Sequence, residues 1–292
     1  MSIKIKTADE VERMRIAGSL AADILEMIEP YIKEGVTTDE LNQVCHDYAL
    51  EKGAYSAPLD YHGFPKSICT SINHIVCHGI PALQDELGSN GQMKPAILKD
   101  GDIINVDITV IIPDDENADL STRPDGYHGD TSKMFFVGDV TPADKRLCMV
   151  TQEALYVGMR KVKPGATVGD IGTAIEKYIK DNNKNNPRNK FSIVKDFCGH
   201  GIGNEFHEEP QVVHYRNSDR RVLKEGMCFT IEPMINAGKF GCTVDAQDDW
   251  TVYTGDGKKS AQYEHTIVVT KDGCEVLTLR SDESIPRLMI NA

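Results

Sequence analysis

Four acidic residues stand within or beside apolar segments that have the character of β-strands. They are Asp107 inside Ile103–Ile112, Asp130 before Lys133–Val137, Glu232 at the end of Cys-Phe-Thr-Ile-Glu, and Glu264 before His-Thr-Ile-Val-Val. Burying a carboxylate in such a segment costs free energy unless it is paired or binds a metal ion. A single acid of this kind would be explained as a strand-end or salt-bridged residue. Four of them together favour a shared metal site.

His200, in Cys-Gly-His-Gly-Ile-Gly, adds one imidazole to the four carboxylates. Oxygen donors with a single nitrogen and no thiolate set suit Mn, Fe, Co or Zn. Two divalent cations would balance the charge of four carboxylates, whereas one would leave a net negative charge. Two metal ions about 3.5–4 Å apart can hold a hydroxide near neutral pH and polarise the oxygen of the attacked bond. The residues therefore predict two divalent metal ions per chain, without choosing among these four metals.

The acids occupy equivalent places in two similar parts of the chain. Leu-Lys-Asp-Gly at 98–101 is echoed 125 residues later by Leu-Lys-Glu-Gly, and the same offset aligns Asp107 with Glu232. Lys33–Thr37 is similar to Lys163–Thr167, and His-Gly-Ile occurs at 78–80 and at 200–202. Because these echoes keep the same order, we expect one catalytic domain over residues 1–292, with related α+β halves of about 1–137 and 138–292.

Four helices and four strands are expected to position these residues. Apolar residues at helical spacing predict a helix over 8–29, a capping-box pattern at Thr37 begins another that reaches about 52, and Thr141-Pro142 begins a third that reaches about 161. A fourth begins after Thr167. Strands are predicted at 103–112, 133–137, 228–234 and 263–270, and surface loops at 84–97, 113–126 and 181–190. Side-chain alternation along the first strand places Asp107 and Thr109 on one face.

Composition restricts the class of protein. The chain has 292 residues, of which 40% are hydrophobic and 26% charged, and this is typical of a packed globular protein. A net charge of −13 argues against a general nucleic-acid binder or a polybasic membrane-surface protein. No apolar run approaches the ~18 residues of a membrane span, and no secretory signal is visible. The eight cysteines form no C-x-x-C pair. We expect a cytoplasmic protein with reduced cysteines.

Six motifs resemble those of type I methionine aminopeptidases. They are Asn-Val-Asp at 105–107, His-Gly-Asp-Thr at 128–131, Cys-Gly-His-Gly-Ile-Gly at 198–203, Phe-His-Glu-Glu-Pro at 206–210, Ile-Glu-Pro at 231–233 and Gln-Tyr-Glu-His at 262–265. The resemblance covers nearly the whole chain. It implies the pita-bread fold, an α+β structure in which an antiparallel sheet is covered by helices in two pseudo-twofold related halves. It also implies removal of the N-terminal methionine before a small second residue, by attack of a metal-activated hydroxide on the scissile amide.

The same resemblance implies individual roles. Asp107 would bind one metal ion, Asp130 and Glu264 would bridge both ions, and His200 with Glu232 would bind the other. His78 would contact the scissile amide, and His207 would steady the carbonyl oxygen as it becomes an oxyanion. Glu232 would also relay a proton from the nucleophilic water.

A methionine pocket is implied as well. Its residues are Tyr61, Phe64, Cys69, His78, Phe206 and Trp250, with Thr109 and His207 as further substrate contacts. Pro58 stands where bacterial relatives often have cysteine, and Phe64 where tyrosine is common, and both leave methionine as the expected side chain. The other candidate histidines are expected to be core or surface groups: His46, His62, His74 and His214. The expected partner is the N-terminal methionine of nascent polypeptides, close to the ribosome, and the expected state is a monomer.

Three other functions are compatible with parts of this sequence. A proline-specific peptidase shares the fold but normally carries an added N-terminal domain. A catalytically inactive relative that serves as an interaction protein would have lost metal ligands, and all five are present here. A dimetal phosphatase would need cationic groups near the site, and none cluster at these motifs.

Overall fold

The computed structural model describes residues 3–291 and contains four α-helices, two of them in each half of the sequence. They are α1 (Ala8–Ile28), α2 (Thr38–Glu51), α3 (Pro142–Met159) and α4 (Val168–Asn185), with short 3-10 helices at Glu29–Tyr31 and Tyr61–Gly63. The predicted helices are confirmed, and the predicted ends of the first three lie within two residues of those observed. Within residues 3–291 no helix is long and apolar enough to cross a membrane.

The ends of the helices follow from local side-chain chemistry. At α1 the Thr7 hydroxyl accepts from the backbone N–H of Glu10, and the Thr7 N–H donates to the Glu10 carboxylate. Thr37 and Glu40 form the same capping box at α2, as the sequence predicted. These bonds satisfy backbone donors that have no partner inside a helix.

The loop predicted at 181–190 is wrong in its first half, because α4 continues to Asn185. The polar residues there lie on the exposed end of the helix, where Lys177 pairs with Asp181 at the (i, i+4) spacing. The amide of Asn183 exchanges hydrogen bonds with the backbone of Phe191. The polar residues at 181–185 therefore indicate that this part of the helix is exposed to solvent, and not that the helix has ended.

The strands are short except for two. In chain order they are β1 (Tyr55–Ser56), β2 (Cys69–Ile72), β3 (Ile75–Cys77), β4 (Glu86–Leu87), β5 (Met93–Lys94), β6 (Ile103–Pro113), β7 (Gly126–Phe136), β8 (Ser192–Ile193), β9 (Gly199–Gly201), β10 (Glu208–Val212), β11 (Cys228–Ile231), β12 (Met234–Asn236), β13 (Cys242–Val244), β14 (Val252–Thr254), β15 (Ser260–Gln262), β16 (His265–Val269), β17 (Gly273–Val276) and β18 (Leu288–Ile290).

Three of the strand and loop predictions need correction. β7 begins at Gly126, seven residues before the predicted start, so Asp130 lies inside a strand. The segment predicted as one strand at 228–234 is two strands, β11 and β12, and Glu232 lies between them. The loop predicted at 84–97 contains the small hairpin of β4 and β5.

All strand pairs are antiparallel, and two sheets carry the site. In the first, β6 pairs with β1, β2 and β7; in the second, the order is β10-β9-β11-β16-β17-β18. The two sheets meet where β7 runs beside β16. There the Thr266 hydroxyl donates to the carbonyl oxygen of Asp130, and the Thr131 hydroxyl donates to that of Glu264. This contact brings two of the four acids together.

Helices cover each half of this arrangement. Apolar residues of α1 and α2 pack on the face of β6 that carries Val106 and Ile108, whereas Asp107 and Thr109 face the opposite side, so the predicted alternation is confirmed. α3 and α4 pack against β11 and β16 in a second core. Equivalent turns repeat in both halves: Gly35 donates its N–H to the carbonyl of Leu98, and Gly165 donates to that of Leu223.

Gly129 lies in β7 where α1 crosses it, and this close approach predicts a stability effect. A Cβ atom at Gly129 would lie 2.3 Å from backbone atoms of Ala17 and Gly18. We expect Gly129→Ala to lower the free energy of unfolding by about 1–3 kcal/mol, measured by urea denaturation, because the helix must move to admit the methyl group. Gly241→Ala is the matched control, since its Cβ would meet nothing within 4 Å. Equal unfolding midpoints for the two variants would contradict this account.

Candidate metal centre and substrate cavity

A cavity of about 550 Å³ lies beside the contact between the two sheets. Every residue that the sequence singled out for catalysis, metal binding or substrate binding lines it: Tyr61, Phe64, Cys69, His78, Asp107, Thr109, Asp130, His200, Phe206, His207, Glu232, Trp250 and Glu264. They come from separate strands and loops in both halves of the sequence. The structure therefore brings all of these side chains to one place.

The four acids and His200 form one side of this cavity. Ligand atoms of Asp130, His200 and Glu264 lie within 4.8 Å of one another. The His200 Nε2 atom is 3.5 Å from Asp130 Oδ2 and 3.7 Å from Glu232 Oε1. Asp107 adds a carboxylate from β6, which pairs directly with β7, the strand that carries Asp130.

Hydrogen bonds orient these side chains. The Thr109 hydroxyl donates to Asp130 Oδ1 at 2.8 Å. The Thr230 hydroxyl donates to Glu232 Oε1 at 2.8 Å and accepts from the backbone N–H of His200 at 3.0 Å. Gln262 Nε2 donates to the other Glu232 oxygen at 3.1 Å. Such outer bonds fix the rotamers of potential ligands and keep their remaining lone pairs directed at the cavity.

The tautomer of His200 follows from its backbone contact. Nδ1 donates to the carbonyl oxygen of Gly201 at 3.0 Å. The lone pair of the neutral ring is then on Nε2, the atom that faces the acids. This is the orientation in which an imidazole binds a metal ion.

The proximity of the acids strongly perturbs their protonation. Burial, together with the charges of Asp130 and Glu232, raises the pKa of Asp107 well above its usual value. Burial and the same two acids raise the pKa of Glu264. Burial raises the pKa of Glu232 to about 7, although the charge of His200 opposes the shift. A cluster of this kind stays fully ionised at neutral pH only when cations compensate the charge.

The residues present fit a metal ion. The Asp107 Oδ1 atom is buried and accepts no hydrogen bond from any residue between 3 and 291. A buried carboxylate oxygen without a donor is costly, and a cation beside it removes that cost. The donor set of carboxylates and one imidazole suits Mn, Fe, Co or Zn.

Aromatic side chains form another part of the cavity wall. Trp250 makes edge contacts with Phe64 and His78, at centroid distances of 5.2 and 5.8 Å. Phe206 stacks on His207 at 4.4 Å. His78 has a φ of +55°, a left-handed conformation that a residue with a Cβ adopts only when its surroundings hold it.

Two of the three cavity histidines, His78 and His207, are neutral groups at physiological pH. Burial lowers the pKa of His78 to about 4. Burial and the neighbouring His200 lower the pKa of His207 to about 2. Tyr61 Oη lies 2.8 Å from His207 Nδ1. Each ring can therefore offer one N–H to a bound amide.

Sequence reasoning missed several residues of the site. Phe197 and Met234 add apolar surface to the cavity, and Cys198 adds a thiol. Thr230 and Gln262 hold Glu232, and the buried His214 accepts from the backbone N–H of Glu232 at 3.1 Å. The Thr230-x-Glu232 spacing on an alternating strand was the available signal, since residues two apart share a face. Gln262 stands in the Gln-Tyr-Glu-His motif, but no role of its own was predicted for it, and His214 was expected only to be a core or surface group.

Comparisons with known proteins are consistent with this geometry. The model of metallopeptidase family M24 matches residues 12–271. The methionine aminopeptidase of Escherichia coli (strain K12) is 53% identical over 291 residues, 99% of this chain and 98% of that protein. The crystal structure of methionine aminopeptidase from Rickettsia prowazekii has a TM-score of 0.82 and 47% identity, and the match covers 95% of this chain and 100% of that one. The prolidase from Pyrococcus horikoshii OT3 matches at a TM-score of 0.65 and 22% identity, over 96% of this chain and 65% of that one, and so shares the fold alone.

Proposed function

The chain belongs to metallopeptidase family M24 and has the activity of a methionine aminopeptidase, and from this premise we propose how its own residues carry out that reaction. The observation that supports the proposal most strongly is the convergence of four carboxylates and one imidazole beside a cavity with two neutral histidines. A proline-specific peptidase shares the fold, but the high identity over the full length favours methionine removal.

We propose that five residues hold two divalent metal ions. Asp107 would help to hold one ion, His200 and Glu232 the other, and Asp130 and Glu264 would serve both. Two divalent cations match the charge of the four carboxylates. The Asp107 Oδ1 atom accepts no hydrogen bond within residues 3–291, so its lone pairs are available to bind one of these cations. When bound, the two ions supply Lewis acidity toward the scissile carbonyl and lower the pKa of the attacking water.

The protein groups around this centre bind the substrate and move a proton. Glu232 is held by Thr230 and Gln262 with its carboxylate in the cavity, where it can accept a proton from the attacking water. His78 donates to the scissile amide, and His207 donates to the carbonyl oxygen as negative charge develops there. Both rings are preorganised by aromatic contacts, so little reorganisation accompanies the reaction.

The methionine side chain is proposed to lie against Phe64, Phe206 and Trp250. The flexible thioether fits an apolar pocket with aromatic walls and gains favourable sulfur–aromatic contacts. Cys69 lies at the same wall, and burial together with the charge of Asp107 raises the pKa of its thiol, which therefore stays neutral. The pocket then presents no charge to the methionine side chain.

The proposal is tested by three peptides assayed for released methionine. We expect Met-Ala-Ser to be cleaved, and Met-Lys-Ser to be cleaved at least about 10-fold less efficiently, because a longer second side chain clashes beside His78 and His207. We expect acetyl-Met-Ala-Ser to be resistant, because the free α-amine is attracted to the carboxylate side of the cavity. Equal cleavage of the first two peptides would contradict the steric argument. Cleavage of the third would contradict the aminopeptidase assignment.

Three broader features are proposed from the sequence. We propose that the enzyme works as a monomer, in the cytoplasm, and on nascent chains near the ribosome.

A further inference from the structure

Arg123 lies in the loop between β6 and β7, outside the cavity, with its guanidinium against two cavity side chains. Its Cζ atom is 5.1 Å from the centre of the Tyr61 ring and 5.9 Å from that of Phe206. A guanidinium at this range over an aromatic ring is attracted by the negative face of the ring. Arg123 does not line the cavity itself, so any contact between it and the substrate passes through these neighbours.

Hydrogen bonds hold the guanidinium in this place. Nη1 donates to the carbonyl oxygen of Ala57 at 2.5 Å, and Nη2 donates to His128 Nε2 at 3.0 Å. His128 in turn donates from Nδ1 to the carbonyl oxygen of Gly203 at 2.9 Å. Arg123 thus connects the segment before Tyr61, strand β7 and the segment before Phe206. The planar fork of arginine can make both bonds and stack at once, which the single ammonium of lysine cannot.

Tyr61 and Phe206 transmit this constraint to His207. Tyr61 Oη contacts His207 Nδ1 at 2.8 Å, and Phe206 stacks on the His207 ring at 4.4 Å. Burial raises the pKa of Tyr61, so its hydroxyl keeps its proton and can donate it to His207 Nδ1. In that arrangement the proton of the neutral His207 ring lies on Nε2.

We propose that Arg123 is a positioning residue: it holds Tyr61 and Phe206 so that His207 keeps the orientation and the tautomer in which Nε2–H is free to donate to the substrate carbonyl. The inference rests on the proposed role of His207 in methionine removal. It gives the loop at 113–126, whose role the sequence did not reveal, a function in the site.

Steady-state kinetics with Met-Ala-Ser test this proposal. Misplacing a group that acts on the reacting carbonyl lowers the rate of the chemical step, so we expect Arg123→Ala to reduce kcat about 10-fold, with KM and metal content unchanged. Arg123→Lys should restore only part of the loss. Arg188→Ala is the matched control, because Arg188 is an exposed arginine in a distant loop, and it should leave kcat unchanged. A wild-type kcat in Arg123→Ala would overturn the proposal.

Double variants separate positioning from a general structural effect. If Arg123 acts through His207, Arg123→Ala should cause little further loss in a His207→Ala protein. A full 10-fold further loss in the His207→Ala protein would show that Arg123 acts by another route and would overturn the proposal.

A spectroscopic measurement keeps this inference distinguishable from the proposed function. In ¹⁵N-labelled protein the ring nitrogens of His207, assigned by comparison with His207→Ala, should show a proton on Nε2. In Arg123→Ala they should show a mixture of tautomers. Identical His207 signals in the two proteins would overturn the inference even if the wild type cleaves methionine. A wild type that releases no methionine would instead overturn the proposed function, and the spectra would still decide the role of Arg123.

Discussion

The Asp107→Asn variant is expected to release no methionine from Met-Ala-Ser and to bind fewer metal ions than the wild type. The change keeps the size of the side chain but removes the charge of Asp107, whose buried Oδ1 atom accepts no hydrogen bond within residues 3–291. It also upsets the charge balance between four carboxylates and two divalent cations. Metal content by atomic spectroscopy and methionine release at saturating metal are the two measurements. Glu264→Gln should behave in the same way.

Two controls guard this prediction. The metal-free Asp107→Asn protein should unfold at no lower urea concentration than the metal-free wild type, because the substitution relieves repulsion among buried acids. Asp196→Asn makes the same chemical change in an exposed carboxylate at the rim of the cavity and should keep the wild-type metal content. Wild-type turnover by purified Asp107→Asn would show that the ligand assignment is wrong.

Replacement of His207 should have the second largest effect. If His207 donates to the developing oxyanion, His207→Ala should lower kcat by about 10²–10³-fold, the usual consequence of losing one such donor. Metal content should not change, because His207 is not among the five proposed ligands. The neutral state of the ring, with its pKa lowered to about 2 by burial and by His200, means that the donor is an N–H and not a cation.

His46→Ala is the matched control for this variant. His46 lies on α2, bonds to Ser67 and does not line the cavity, so its removal should leave kcat at the wild-type value. Loss of metal together with activity in His207→Ala would show that this histidine is a ligand. An unchanged kcat would remove it from the mechanism.

The sequence singled out the four acids because each stands in or beside an apolar segment where a carboxylate is out of place, and the structure brings all four to one cavity. The repeat of Leu-Lys-acid-Gly aligned Asp107 with Glu232 and so indicated that the two acids are equivalent. The structure has matching turns at Gly35 and Gly165 in the two parts of the chain. The implied pita-bread fold is confirmed by the match to the Rickettsia prowazekii enzyme. The fold and the candidate acids were therefore predicted mainly from short motifs around those acids.

What the sequence did not predict depends on contacts between distant segments. Gln262 reaches Glu232 only because β15 pairs with β12, and no local pattern encodes that pairing. The early start of β7 was missed because Gly126 and Gly129 are typical of turns. Gly129 is needed instead for the close approach of α1. Arg123 was hidden in a polar loop, where composition gives no sign of a contact with the cavity wall.

The central claim is that this cavity removes N-terminal methionine with the help of divalent metal ions. The most direct test is to follow free methionine from Met-Ala-Ser with metal-free protein, before and after Mn²⁺, Fe²⁺, Co²⁺ or Zn²⁺ is added in turn. The account predicts no release before addition and release with at least one of the four cations. Release by the metal-free protein in the presence of a chelator, or no release with any of the four, would contradict it.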